Sequence, residues 1–584
     1  MKYLFLLSAL LILACAEKPK PEDFDLETIF EKSNGTQTAT YDEIVKFYED
    51  LDEAYVSIKT YKWGKTDSGE PLTLVTYNPN RTFDSEFSRD NSATRVLINN
   101  GIHPGEPDGI DATMLLMRDL ASGAVEIPEN VWVSAIAVYN IGGALNRNSS
   151  SRTNQNGPEA YGFRGNARNY DLNRDFIKAD TDNAQSFAEL FHRIDPDIFV
   201  DNHVSNGADY QYTLTHLFTQ HDKLGGVLGE YLHREMQPQL ENYLTKKDWD
   251  ITPYVNVFNK VPEEGFSQFM DHPRYSTGYT SLFNTLGLMV ETHMLKPYKP
   301  RVEGTYQLML GLLDIAAKDG EKIKELRAKT RLSYTNGNRI GTEYPIAYST
   351  DSTTTTTLDF KGYAGEMKPS TVTGGERLKY DRNQPFTKPV TYYNYLKTTE
   401  TITIPKAYVV PKAWREVVKR LNENDIDMTR FGKDTVIAVE KYRIVDYSTR
   451  NSAYEGHYLH YDTQVTSKID SVKVNAGDWL VPTAQSGMRY LLETLEPSAS
   501  DSFFNWNYFD TILQQKEGFS PYVWEDKAAE LLKSNAELQK KFQQEKEEDS
   551  RFAKNWYAQL DWLHKESPNY EAAHLSYPIL RIFD

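Results

Sequence analysis

Apolar residues at Tyr41, Ile44, Phe47, Tyr48 and Leu51 recur with helical spacing, so Tyr41–Leu51 is predicted to be an amphipathic helix. Short apolar runs at Leu72–Tyr77, Arg95–Asn99, Val131–Tyr139, Asp197–Val200 and Leu286–Glu291 predict strands. Between them the period changes. Ile110, Met114, Met117 and Ala121 mark a helix over Pro107–Ala121, and further helices are predicted at Asp182–Ile194, Lys223–Leu244, Tyr279–Leu286 and Arg301–Thr330. Strands alternating with helices predict an α/β catalytic domain over 41–330, an open mixed and largely parallel sheet with helices on both faces.

The pattern shifts after residue 330. Residues 331–410 are rich in Thr, Tyr and Gly, and alternating runs at Thr399–Ile404 and Thr435–Val445 read as strands around one short helix, Pro411–Leu421. We therefore expect a β-rich accessory region at 331–490, followed by a mixed, mostly helical tail at 491–584. At the other end, Leu4–Leu13 is an apolar run shorter than the roughly 20 residues that span a bilayer, preceded by Lys2 and ended by Ala14-Cys15. It reads as a lipoprotein signal peptide over 1–14. Cys15 would then be the lipidated first residue, with 15–40 a charged, Pro-containing tether and N-terminal segment. Cys15 is the only cysteine among 584 residues, so disulfides are excluded and lipidation explains its place. An exported protein held to a bacterial membrane through its N-terminal lipid, on the periplasmic side or the cell surface, is the expectation. The 83 acidic and 65 basic residues give a net charge of −18, which argues against a nucleic-acid partner. An aromatic content of 12% excludes a wholly disordered chain.

Candidate chemistry gathers at strand ends, where open α/β sheets place their ligands. His103 and Glu106 lie on a Gly- and Pro-containing turn between a strand and a helix, whereas the similarly spaced His192 and Asp195 fall on an amphipathic helix and read as surface residues. His203 and Glu291 each follow a short strand. Two histidines and a carboxylate suit a catalytic zinc, which takes three protein ligands and keeps one position open, and Glu291 can serve as general base. In the loop Arg164–Phe176, Asn173 and Arg174 could grip a carboxylate and Arg164 could stabilise an oxyanion. Arg147 and Arg152, in a polar loop, could also reach substrate. His293 follows Glu291 by two and would point the same way along a strand.

His103-Pro104-Gly105-Glu106, Asp171-Leu172-Asn173-Arg174, His203 and Glu291 in a Val-Glu-Thr-His strand end together resemble the carboxypeptidase A-like zinc metallocarboxypeptidases, over about 40–330. The resemblance implies one Zn2+ per chain held by His103, Glu106 and His203, and hydrolysis of C-terminal residues from peptides by a zinc-bound water that Glu291 activates. It implies that Arg164 stabilises the oxyanion, that Asn173 and Arg174 hold the free C-terminal carboxylate, and that Asp171 orients a ligand imidazole, His103. For the substrate-capping tyrosine of the family, Tyr275 is favoured over Tyr279, both being closer to Glu291 than in the family pattern. Ser276, uncharged, disfavours a basic-specific pocket. Two other readings stay open: the same zinc chemistry on peptidoglycan stem peptides or N-acyl amino acids, and a non-catalytic surface lipoprotein that binds peptides or glycans.

Overall fold

The computed structural model describes residues 20–83 and 93–584, so the predicted signal peptide and Cys15 lie outside the described residues. The chain divides into two compact units. One comprises the chain up to Asp271 with Tyr275–Ala328 and Thr350–Tyr395; the other comprises His272–Arg274, Lys329–Ser349 and Leu396–Asp584.

In the first unit, the helix Tyr41–Ala54 starts at a reciprocal cap. The Thr40 hydroxyl accepts from the Glu43 N–H, and the Glu43 carboxylate accepts from the Thr40 N–H at 2.7 Å. Its buried face is the predicted one: Tyr41, Ile44, Phe47, Tyr48 and Leu51. The strands are β1 (Ile58–Trp63), β2 (Leu72–Tyr77), β3 (Thr94–Asn99), β4 (Val131–Ile136), β5 (Ile198–Ser205), β6 (Leu214–Phe218), β7 (Ile251–Pro253), β8 (Phe266–Ser267) and β9 (Leu286–His293). Eight of them form one mixed sheet in the order β1-β2-β4-β3-β5-β9-β6-β7. The pairs β4/β3, β3/β5, β5/β9 and β6/β7 are parallel, and β1/β2, β2/β4 and β9/β6 are antiparallel. Strands β4 and β5 are buried along their whole length, as strands covered on both faces must be. Helices Tyr41–Ala54, Asp108–Ser122 and the first turns of Tyr298–Thr335 share one core with the sheet.

Three elements differ from the predicted pattern. Strands β5 and β9 run on through Ser205 and His293, so His203 lies inside its strand rather than past it, and Glu291 is not the last residue of its own. The single helix predicted at Lys223–Leu244 is broken at Gly225, whose φ of +72° ends a short turn at His221–Leu224. Residues 350–395 belong to the first unit rather than standing with the region after 330. They form a long antiparallel hairpin, Thr356–Pro369 with Glu376–Tyr393, whose second strand pairs in parallel with β8. Phe360, Val390 and Tyr392 of the hairpin share a core with Tyr210, Val255 and Phe266.

The second unit is built on a six-stranded sheet in which Ser576–Ile582 lies between Ala407–Val410 and Thr435–Thr449. The chain's end is thus a strand of this sheet as well as helices. Helices Pro521–Ser534, Ala536–Glu548 and Trp556–Lys565 pack through Trp524, Leu538, Leu560 and Leu563. Among the described residues no helix is long and apolar enough to cross a membrane.

Candidate functional site

The parallel pairing of β5 with β9 sets His203 against Glu291 and Asp201 against Met289. Side chains two apart on a strand share a face, so these four residues form a patch at the carboxyl ends of two neighbouring strands. The next strand, β3, ends at Asn99 and runs into the turn that carries His103 and Glu106, closed by the Glu106 N–H donating to the His103 carbonyl at 2.8 Å.

His103, Glu106 and His203 are buried, and one donor atom from each lies within 4.8 Å of the others. Both imidazoles turn Nδ1 toward Glu106, His103 at 3.2 Å from Oε1 and His203 at 3.1 Å from Oε2. Both turn Nε2 to an aspartate: Asp171 Oδ1 lies 2.9 Å from His103 Nε2, and Asp201 Oδ2 lies 2.9 Å from His203 Nε2. A carboxylate behind each ring fixes its orientation and keeps Nδ1 for the cluster. The Ser276 hydroxyl in turn donates to Asp201 Oδ2.

This is a place made for positive charge. Burial pushes the Glu106 carboxyl up, but Arg152 and His103 outweigh it and hold the group well below the usual carboxylate range. Burial likewise pushes His203 down, and Asp201 and Glu106 more than reverse it, raising the imidazole well above its ordinary value. Two imidazole nitrogens and a carboxylate, each anchored from outside, are a donor set that fits a zinc-like divalent cation. Glu291, half-buried beside them, carries no such compensation. Burial pushes its carboxyl up; His203 opposes this, Glu106 and Asp201 reinforce it, and the group sits at about 8.

Asp171 is the hub of the adjoining loop. While Oδ1 faces His103, Oδ2 accepts from Arg164 Nε and Nη2 at 3.0 and 2.8 Å. Arg164 Nη1 thereby stands 3.4 Å from His103 Nδ1. Burial pushes Asp171 up, but His103, Arg164 and Arg174 hold it far below the ordinary value. The Arg174 guanidinium lies 4.6 Å over the Tyr275 ring and donates to the Asn173 carbonyl at 2.8 Å. Asn173 Oδ1 accepts from the Ser276 N–H at 3.3 Å, which ties the Asn173-Arg174 turn to the start of the next helix.

These groups open onto one cavity of about 380 Å³. His103, Glu106, His203 and Glu291 line it together with Arg164, Asn173, Arg174 and Tyr275. Its apolar wall comes from Leu217, Tyr254, Phe258, Phe269 and Met289. Tyr279, the other candidate for the capping position, is fully buried among Phe176, Phe187, Phe191 and Phe283. Arg147 donates to the carbonyls of Thr38 and Ala39, and Arg152 to Glu106, and neither lines the cavity. His293 is buried against Tyr210 and Asp209. Ser276 is buried and engaged with Asp201.

The sequence reading missed Asp201 and the apolar wall, and took Arg152 for a group that could reach substrate rather than for the partner of Glu106. Asp201 was within reach of it: it stands two residues before His203, on the same face of a strand. Arg152 carries no periodic signal, because it sits in an irregular loop whose partner is 46 residues away.

The long hairpin holds two segments that border the cavity, the loop after β5 that carries Asn206 and the end of β8 before Phe269. Gln211, in the loop after β5, donates its side-chain amide to the carbonyls of Gly362 and Phe386, both at 2.9 Å. Tyr212 Oη accepts from the Lys361 N–H at 3.0 Å, and Asp209 accepts from Arg382 at 2.7 Å. Phe269 follows β8, which the hairpin pairs, and the Gln268 N–H donates to the Tyr393 carbonyl at 3.0 Å.

No protein-family profile matches the chain. It is 23% identical over 441 residues to carboxypeptidase 2 of Trichophyton tonsurans, covering 70% of this chain and 73% of that protein. The same figures hold for carboxypeptidase 2 of Trichophyton rubrum. Among solved structures, a metallo-carboxypeptidase from Burkholderia cenocepacia overlaps 50% of this chain and 70% of its own, with 15% identity and a TM-score of 0.36.

Proposed function

We infer that this chain, a metallopeptidase of the metallocarboxypeptidase family, hydrolyses the last peptide bond of substrates that carry a free C-terminal carboxylate. One observation supports this above the others. A His-Glu-His donor cluster and a carboxyl with a raised pKa share one cavity with a guanidinium and an amide fit to hold a carboxylate.

His103, Glu106 and His203 would hold a zinc ion, with Asp171 and Asp201 fixing the two imidazoles. The metal, when bound, supplies Lewis-acid polarisation of the scissile carbonyl and of the attacking water. Arg174 and Asn173 bind the terminal carboxylate, a guanidinium being suited to a planar anion. Tyr275, stacked on Arg174 and 5.0 Å from Phe269, covers the bound residue. Glu291 takes the proton of the attacking water and delivers it to the departing amine. Arg164, held by Asp171, donates to the oxygen on which negative charge develops.

The cavity also bears on which residue is released. Among the described residues that line it, the carboxylates are Glu106 and Glu291, both assigned to the chemistry, and apart from Asn206 the rest of the wall away from the reacting groups is apolar. A basic side chain therefore finds no partner, whereas burying an aromatic or aliphatic one gains about 1.5–3 kcal/mol. We expect zinc-loaded protein to release phenylalanine from benzoylglycyl-phenylalanine at least tenfold faster, in kcat/KM, than lysine from the matching lysyl substrate. The C-terminal amide of the first substrate should be inert. Amino-acid analysis of the products checks this, and equal cleavage of the amide would rule out carboxylate recognition by Arg174.

A further inference from the structure

Glu106 is held by two scaffold donors. The Val204 N–H donates to Oε2 at 3.0 Å, and Arg152 Nη2 donates to Oε1 at 2.6 Å. The same two oxygens meet the Nδ1 atoms of His203 and His103. Each oxygen therefore has one hydrogen-bond donor from the scaffold and one neighbour from the donor cluster, with Arg164 Nη1 standing farther from Oε1 at 3.7 Å. The terminal torsion of a glutamate is broad, so one anchor would leave the carboxylate plane free to turn. The second anchor removes that freedom.

Arg152 is itself fixed. Its Nε donates to Gln155 Oε1 at 3.0 Å, and Gln155 Nε2 donates to the carbonyls of Gly105 and Gly157 at 2.8 and 3.0 Å. Its own N–H donates to the hydroxyl of the buried Tyr161 at 3.1 Å. A Cβ on Gly105 would come within 3.1 Å of Arg152 Cδ and 3.0 Å of the Gly162 carbonyl, so the absence of a side chain there admits the arginine. The guanidinium thus passes beside the peptide that joins His103 to Glu106, and its side chain is only 18% exposed.

We propose that Arg152 is a positioning residue for the metal ligand Glu106, fixing its carboxylate so that the cation site is preformed. This rests on the metallopeptidase reading above. An opposing effect exists: the guanidinium brings a like charge toward the cation. Groups that orient a metal ligand are worth about ten- to a hundredfold in metal affinity, and two hydrogen-bonded anchors on one carboxylate favour orientation over repulsion here.

The two effects have opposite signs in one experiment. Zinc affinity of the full chain is measured by competition with a chromophoric chelator for wild type, R152Q and R152K, alongside thermal melts of the metal-free proteins. R152Q removes both charge and fork and should bind zinc ten- to a hundredfold more weakly. R152K keeps the charge without the fork and should fall between. A folded R152Q or R152K with unchanged or tighter affinity would overturn the proposal. If R152Q does not fold, R152K decides alone. Wild-type protein that takes up no zinc would instead overturn the metal reading, and this inference with it.

Discussion

Glu291 faces His203 across the β5/β9 pair, and burial lifts its carboxyl to about 8 from an ordinary value of 4.5. At that value the carboxyl keeps its proton below about pH 8, and positive charge placed on the neighbouring cluster would bring it down. The same shift carries a stability signature. The folded chain keeps a proton that the unfolded chain has lost, so between about pH 4.5 and 8 stability falls as pH rises, and below that window the penalty is absent. Asp111, buried and raised to about 7, adds a slope of the same sign. Glu291→Gln should therefore make the metal-free protein more stable than wild type at pH 8, by at least about 1 kcal/mol at roughly 1.4 kcal/mol per pKa unit. The gain should vanish toward pH 4.5. Hydrolysis by the zinc-loaded variant should drop about 10²–10⁴-fold. Urea titrations at several pH values and steady-state rates check both; a variant with wild-type turnover would remove Glu291 from the chemistry. His103, Glu106, His203 and Glu291 were picked out in the sequence because each stands at or just past the end of an apolar run, in a recognisable order. The contact of Arg152 with Glu106 was not, since nothing local marks a loop arginine whose partner is fixed only by folding.

At the scale of elements, the central strands were legible as apolar runs, but their ends were not. Asp201-Asn202-His203 and Thr292-His293 lie past the apolar runs that marked the two strands, yet they complete β5 and β9. Polar residues can sit there because they partner one another: Asp201 with His203, and Thr292 with Asp108 at 2.5 Å. The hairpin Thr356–Tyr393 was hidden for a different reason. Much of it is exposed on both faces and carries no clean alternation, and its place beside β8 depends on contacts more than 100 residues away along the chain. Its two hydrogen bonds from Gln211 hold the loop that carries Asn206, a lining residue of the cavity. Gln211→Ala should loosen that wall. The expected outcome is a KM for benzoylglycyl-phenylalanine raised about three- to tenfold, as losing two ordinary hydrogen bonds of about 1 kcal/mol each would allow, with zinc affinity unchanged. An unaltered KM would show that the hairpin does not shape the cavity.

For the whole molecule, a predicted division at 330 and another at 490 gave way to two units interleaved along the chain. One carries the mixed sheet, the hairpin and every residue of the candidate site; the other closes its own six-stranded sheet with the last strand of the chain. Such interleaving follows from strand pairing between distant segments, which local periodicity does not report. Every residue we assign to the reaction is in the first unit, and the His-Glu-His cluster comes from two strand ends with an aspartate behind each imidazole, so the fold by itself brings the three donors together. The metal-free chain should stay folded and inactive. The most direct measurement is to strip the full chain with a chelator, confirm its fold by circular dichroism, and titrate Zn2+ while following phenylalanine release from benzoylglycyl-phenylalanine. The expected result is activity that rises linearly and saturates at about one zinc per chain. Release that persists in the stripped protein, or fails to appear at any zinc level, would contradict a metallocarboxypeptidase built on His103, Glu106 and His203.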